Sequence, residues 1–83
     1  MWTTADDVLE TDLDDELILM HAAQAEMFSL NASGRLLWRA LPASTEALGA
    51  LLRGTYGLSP EQAAQDVNAW LSDLGGRGLL RST

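Results

Sequence analysis

Met27-Phe28-Ser29-Leu30-Asn31-Ala32-Ser33-Gly34-Arg35-Leu36-Leu37-Trp38 decides how this chain folds, because it reads as a short strand running directly into a capped amphipathic helix. Met27 to Leu30 is apolar with one polar interruption and is short enough for a strand. Asn31 follows as a helix N-cap, a residue type whose side chain accepts a hydrogen bond from the free amides of the first turn. Leu37, Trp38 and Leu41 then recur at helical spacing, and Pro42 stops the run.

Working outward towards the N-terminus, residues 8–11 and 16–22 are two further strand candidates, separated by the acidic turn Leu13-Asp14-Asp15. A short connection over residues 22–25 joins the second to the strand at 26–30, and links this short predict an antiparallel three-stranded meander. Towards the C-terminus the spacing predicts three helices. The first covers about 32–41. Ser44 caps a second whose buried stripe is Leu48, Leu51 and Leu52, and Gly57 stands where a left-handed residue ends it. Ser59-Pro60-Glu61-Gln62 opens the third with a cap, a proline at the first helical position and a capping-box spacing. Its apolar face is Ala63, Val67, Trp70, Leu71 and Leu74, and Gly75-Gly76 ends it; Leu79 and Leu80 return to cover the core. Three antiparallel strands followed by three helices make an α+β, winged-helix-like arrangement in one domain.

At 83 residues, such a domain buries roughly 60 to 65% of the surface that its unfolded chain exposes, which leaves no room for a large internal active site. Cysteine is absent, which excludes disulfides and thiolate metal sites. Neither a signal-peptide pattern nor an apolar run near the ~20 residues needed to cross a membrane is present, so a cytoplasmic, membrane-free protein is expected. The net charge is −7, and seven of the twelve acids fall in Asp6, Asp7, Glu10, Asp12, Asp14, Asp15 and Glu16 with no base among them. From Leu17 onward five acids balance five arginines, and there is no lysine. Nucleic acid is therefore not expected as a partner, since phosphate neutralisation needs clustered cations.

Candidate chemistry is sparse. Asp12, Asp14 and Glu16 alternate, but they lack the central glycine and terminal glutamate of a calcium loop, and a solvated turn is the expected role. His21 is the sole histidine, so no transition-metal set or nucleophile-base pair can be assembled around it. Gly75-Gly76-Arg77-Gly78 follows a helix instead of opening one, which is the wrong polarity for cradling phosphate. No catalytic residue, metal or cofactor is expected.

The third strand offers more. Glu26 is its only charge, and it has neither the lysine nor the proline that usually blocks an edge from pairing with another chain. An extended peptide could add there as a further strand, with apolar pockets supplied by the neighbouring helix. Val67, Trp70 and Leu74 would floor such a groove, and Asp66 and Asp73 could attract its cations. Competing accounts are core packing for the apolar residues, solvated faces for the acids, and an edge that is covered or self-paired in a dimer.

The stretch from Phe28 to Trp38 resembles the aromatic-x-Leu-Asn-x-Ser/Thr-Gly-x-x-Ile/Leu-Trp junction of the PqqD-like family, the recognition elements of ribosomal peptide natural-product pathways. Residues 8–19 are similar to the family's first two strands, and residues 57–74 with Arg77-Gly78-Leu79-Leu80 to its last helix and end. Within the family the chain looks most like the free-standing leader-binding protein of lasso peptide biosynthesis. One departure is Met27, in a position where many relatives have the first of two aromatic residues.

That resemblance implies a non-catalytic role without a cofactor, in which the leader of a precursor peptide is held as an added strand beside the third strand and against the third helix. It implies a leader peptidase of the cysteine protease type and a cyclase as partners. Carried onto this chain, the peptide-binding residues are Glu26, Met27, Phe28, Ser29 and Leu30 on the strand and Asp66, Val67, Trp70, Asp73 and Leu74 on the helix. A peptide chaperone of another modification pathway and a winged-helix transcription regulator are the alternatives.

Overall fold

The computed structural model describes all residues 1–83. Its elements run β1 (Trp2–Thr4), β2 (Val8–Asp12), β3 (Leu17–His21), β4 (Glu26–Leu30), α1 (Ala32–Ala40), α2 (Thr45–Tyr56), α3 (Pro60–Gly76) and β5 (Leu80–Ser82). The expected meander is β2-β3-β4, antiparallel throughout, and the expected third strand is β4. Two strands were not anticipated. β1 and β5 pair with each other in a separate two-stranded sheet, and Trp2 bridges to Ala43. With this second sheet, and with strands preceding helices, the fold is α+β and its winged-helix likeness is only approximate.

Side-chain oxygens start all three helices. The Asn31 Oδ1 accepts from the Gly34 N–H at 3.0 Å, the Ser44 Oγ from Ala47 at 3.1 Å and the Ser59 Oγ from Gln62 at 3.2 Å, each satisfying an amide that the helix leaves unpaired. Gly57 ends α2 at φ 67°, in the left-handed region where a Cβ is unfavourable. After α3, the chain turns at Gly78, and Leu79 and Leu80 are buried as expected.

Alternation along the meander decides which face is covered. Leu17 and Leu19 on β3, and Leu30 on β4, lie in the core with Leu37, Trp38, Leu48, Leu52, Val67, Leu71 and Leu74 from the helices. Register partners share a face, so Glu10 and Asp12 also point towards the helices. There they meet α1: Asp12 pairs with Arg35 at 2.8 Å and with Arg39, and Glu10 pairs with Arg39 at 3.7 Å. The Arg35 hydrogen bonds, the Asp14 backbone N–H and Arg39, in that order, hold the Asp12 carboxyl far below the usual aspartate range. The acidic N-terminal segment thus contributes one side of the tie between sheet and first helix. No group of three or more His, Asp or Glu side chains is placed to hold a metal ion, and no helix is long and apolar enough to cross a membrane.

Candidate functional site

β4 is an edge strand whose only partner is β3. Ala22 donates its backbone N–H to Asp7 O at 2.8 Å and Leu13 donates to Glu16 O at 2.9 Å, so alternate residues of β3, Ile18 and Met20 among them, turn their backbone groups to β2. Leu17, Leu19 and His21 then serve β4, through Leu30, Phe28 and Glu26. By the same alternation, the N–H and C=O groups of Met27 and Ser29 point out from the sheet. The open edge therefore carries two donors and two acceptors, spaced as an incoming strand requires.

Two cavities lie along α3, and one of them borders this edge. One, of about 280 Å³, is bounded by Met27 to Leu30 of β4 and by Asp73, Leu74 and Arg77. The other, of about 450 Å³, lies between the three helices, with Ser33, Leu37, Tyr56, Asp66, Ala69 and Trp70 in its wall. Of the ten residues expected at the groove, Glu26 stands at the exposed start of the edge, Met27, Phe28, Ser29, Leu30, Asp73 and Leu74 border the first cavity, and Asp66 and Trp70 border the second. Val67 is placed differently. It is 0% exposed, lies in the core beneath α3 and borders neither cavity.

Trp70 is half-buried, and its Nε1 is shut away from water with no hydrogen-bond partner. It packs against Gly34, where a Cβ would lie 3.4 Å from that nitrogen. The Asp66 Oδ1 accepts from the Gln62 side chain at 2.8 Å. The Asp73 Oδ1 accepts from the Arg77 Nε at 2.9 Å, and the Arg77 guanidinium lies 4.9 Å from the centre of the Phe28 ring. Arg77 thereby joins the end of α3 to β4. Sequence reasoning treated it as part of a helix terminator and of the family-like C-terminal end and gave it no binding role, although it follows Trp70 and Asp73 by seven and four residues and so continues their stripe. Tyr56, at the mouth of the larger cavity and 47% exposed, was also missed.

The outer face of the same sheet is apolar and uncovered. Leu9, Met20 and Met27 lie in one cross-strand row, with Thr11, Ile18 and Ser29 in the next. Leu9 and Met27 are 57% and 68% exposed. The Ser29 Oγ donates to Glu16 at 2.7 Å on this side, and every arginine ion pair forms elsewhere. The face is therefore oily and edged by acids.

Two solved structures share the fold. One is TbiB1 in complex with the TbiA(beta) leader peptide, 24% identical, with a TM-score of 0.91 over 98% of this chain and 96% of that one. The other is a lasso peptide synthetase B1 complexed with the leader peptide, 18% identical, with a TM-score of 0.87 over 98% of each chain. No curated protein sequence matches the chain. The family model for coenzyme PQQ synthesis protein D (PqqD) matches residues 16–80, from the end of the acidic turn through β3, β4 and all three helices to the first residue of β5. With that much of its length matched, the chain belongs to the PqqD family.

Proposed function

We propose that this protein binds the leader segment of a ribosomally made precursor peptide as an added strand beside β4, and presents it to a leader peptidase in lasso peptide biosynthesis. The observation that carries this reading is the open β4 edge, where the outward backbone groups of Met27 and Ser29 run beside a cavity walled by Phe28, Leu30, Leu74 and Arg77, with a second, largely apolar cavity between the helices. Membership of the PqqD family supports it, as do the two structures of like fold, each a leader-peptide complex by name.

In this reading the chain performs no chemistry of its own. Main-chain hydrogen bonds at Met27 and Ser29 hold the guest, and its inward side chains fill the spaces beside Leu74 and Trp70. The guest also widens the outer sheet face, where Leu9, Met20 and Met27 offer the apolar contact that a peptidase surface would cover. Holding leader and peptidase together makes capture of the cleavage site intramolecular, with effective concentrations of about millimolar order. A peptide chaperone of another modification pathway would use the same edge, and the bound leader's sequence separates the two. Gene regulation is disfavoured, because α3 carries no base between Ser59 and Leu74.

Titration of a fluorescently labelled precursor leader peptide tests the proposal. Saturable binding at or below tens of micromolar is expected, weakened about ten-fold by Trp70→Ala, in the range of a peptide-binding aromatic anchor. Absence of saturable binding by the wild-type protein would overturn it.

A further inference from the structure

The end of α3 places one cation beside the open strand edge. Of the five arginines, Arg35 and Arg39 are tied to Asp12 at the opposite, β2 edge of the sheet, Arg81 is paired with Asp6, and Arg53 borders a separate cavity between α2 and α3. Arg77 alone borders the cavity formed with β4. Two contacts fix its plane: the hydrogen bond from Nε to Asp73 and the stacking over Phe28. A guanidinium has five N–H donors in a rigid fork, and only the Nε donor has a partner here, leaving both η nitrogens uncommitted. In a chain of net charge −7, this is an unusual group to hold at the edge of a groove.

Alternation along the edge says which part of a guest would meet it. With the backbone groups of Met27 and Ser29 directed outward, the guest residue opposite Phe28 shares that ring's face of the sheet and points into the cavity bordered by Arg77. Its neighbour two residues along, opposite Leu30, lies at the end of the edge where Leu30 and Trp70 close on Gly34. The two inward positions therefore differ in chemistry.

We propose that Arg77 is a specificity-determining residue that selects guest peptides carrying an aspartate or glutamate on the inward-facing side chain at the Phe28 end of the edge. The proposal rests on the leader-strand reading above and deepens it. An arginine held in plane by Asp73 and Phe28 meets a carboxylate with little further ordering, and a guest strand laid over it excludes water from the pair. Asp73 orients the guanidinium without using its outer nitrogens.

Selection of a displayed random library of peptides about twelve residues long against the purified protein tests this. Wild-type selections should enrich a shared apolar pattern with an acid at one fixed position. Selections on Arg77→Gln should keep the apolar pattern and lose the acid. Between a synthetic Glu peptide and its Gln twin, the wild-type protein should show about a ten-fold affinity difference that shrinks with added salt, and Arg77→Gln less than about two-fold. An enriched apolar pattern without an acid, or an acid that persists on Arg77→Gln, overturns the role of Arg77 and leaves strand addition standing. Failure of any pattern to enrich on the wild-type protein overturns both. Arg77→Lys, which keeps the charge but not the fork, should recover only part of the preference.

Discussion

A methyl group on Gly34 would lie 3.4 Å from Trp70 Nε1 and 3.2 Å from Leu30 Cβ, so the first turn of α1 and the middle of α3 meet at a position without a side chain. Gly34 has an ordinary helical backbone; space is what it supplies. Gly34→Ala should gain about 1 kcal/mol of helix propensity and lose a similar amount, roughly 1 kcal/mol, to displacement of Trp70 and Leu30. Thermal unfolding should therefore change little. Leader affinity should fall about ten-fold, because the indole shifted by the new methyl forms one wall of the larger cavity. Calorimetric unfolding and peptide titration on the same sample check both halves of this expectation.

The tie between Asp12 and Arg35 predicts a pH dependence with a definite sign. Arg35 holds the Asp12 carboxyl well below its ordinary value of 3.8, so the folded state binds this proton more weakly than the unfolded state. The stabilisation is complete above that ordinary value and is lost as pH falls through the folded-state value. Asp12→Asn should lower the melting temperature at pH 7, with a gap from wild type that holds down to about pH 4 and closes below it. The pair is solvent-accessible, so added salt should narrow the gap at pH 7.

The helices and the central meander were legible because their signals are local. Asn31, Ser44 and Ser59 each accept the amide that their cap positions imply, and the stripe from Ala63 to Leu74 has helical period. β1 and β5 were not legible. Each is three residues long, and Thr3 pairs with Arg81 across nearly the whole chain, so no periodicity within either segment could reveal the other. Sequence spacing also placed Val67 beside Trp70 on one stripe, but that stripe is wide enough to divide. Val67 turns to the core, while Trp70 sits at its border with a cavity. Arg77 was missed for a related reason: its partner Phe28 lies 49 residues earlier, and only the fold brings them together.

A substitution at Leu9 would separate the proposed leader binding from the proposed peptidase docking. It lies on β2, two strands away from the open edge, and its side chain is on the outer face. Leu9→Glu should leave leader affinity unchanged, since no guest strand beside β4 reaches it. Placing a carboxylate in the apolar row with Met20 and Met27 should slow leader removal by the peptidase at least about ten-fold, the effect of burying an unpaired charge at an interface. Cleavage at the wild-type rate would show that the peptidase docks elsewhere.

Proline scanning of β4 distinguishes strand addition from simple burial of side chains. Phe28 gives its N–H to β3, so Phe28→Pro would remove a bond of the protein's own ladder and should destabilise the fold. Ser29 turns its N–H to the open edge, and Ser29→Pro deletes a donor that the folded protein alone does not use. The protein should still fold, having lost only the exposed hydrogen bond to Glu16. Ser29→Ala makes the same side-chain loss while keeping the N–H, and should bind leader almost as well as the wild type. If the guest is held through main-chain bonds, Ser29→Pro should bind at least about ten-fold more weakly than Ser29→Ala, with both showing wild-type circular dichroism. Equal binding by the two variants would mean that the peptide rests on the cavities alone, without joining the sheet.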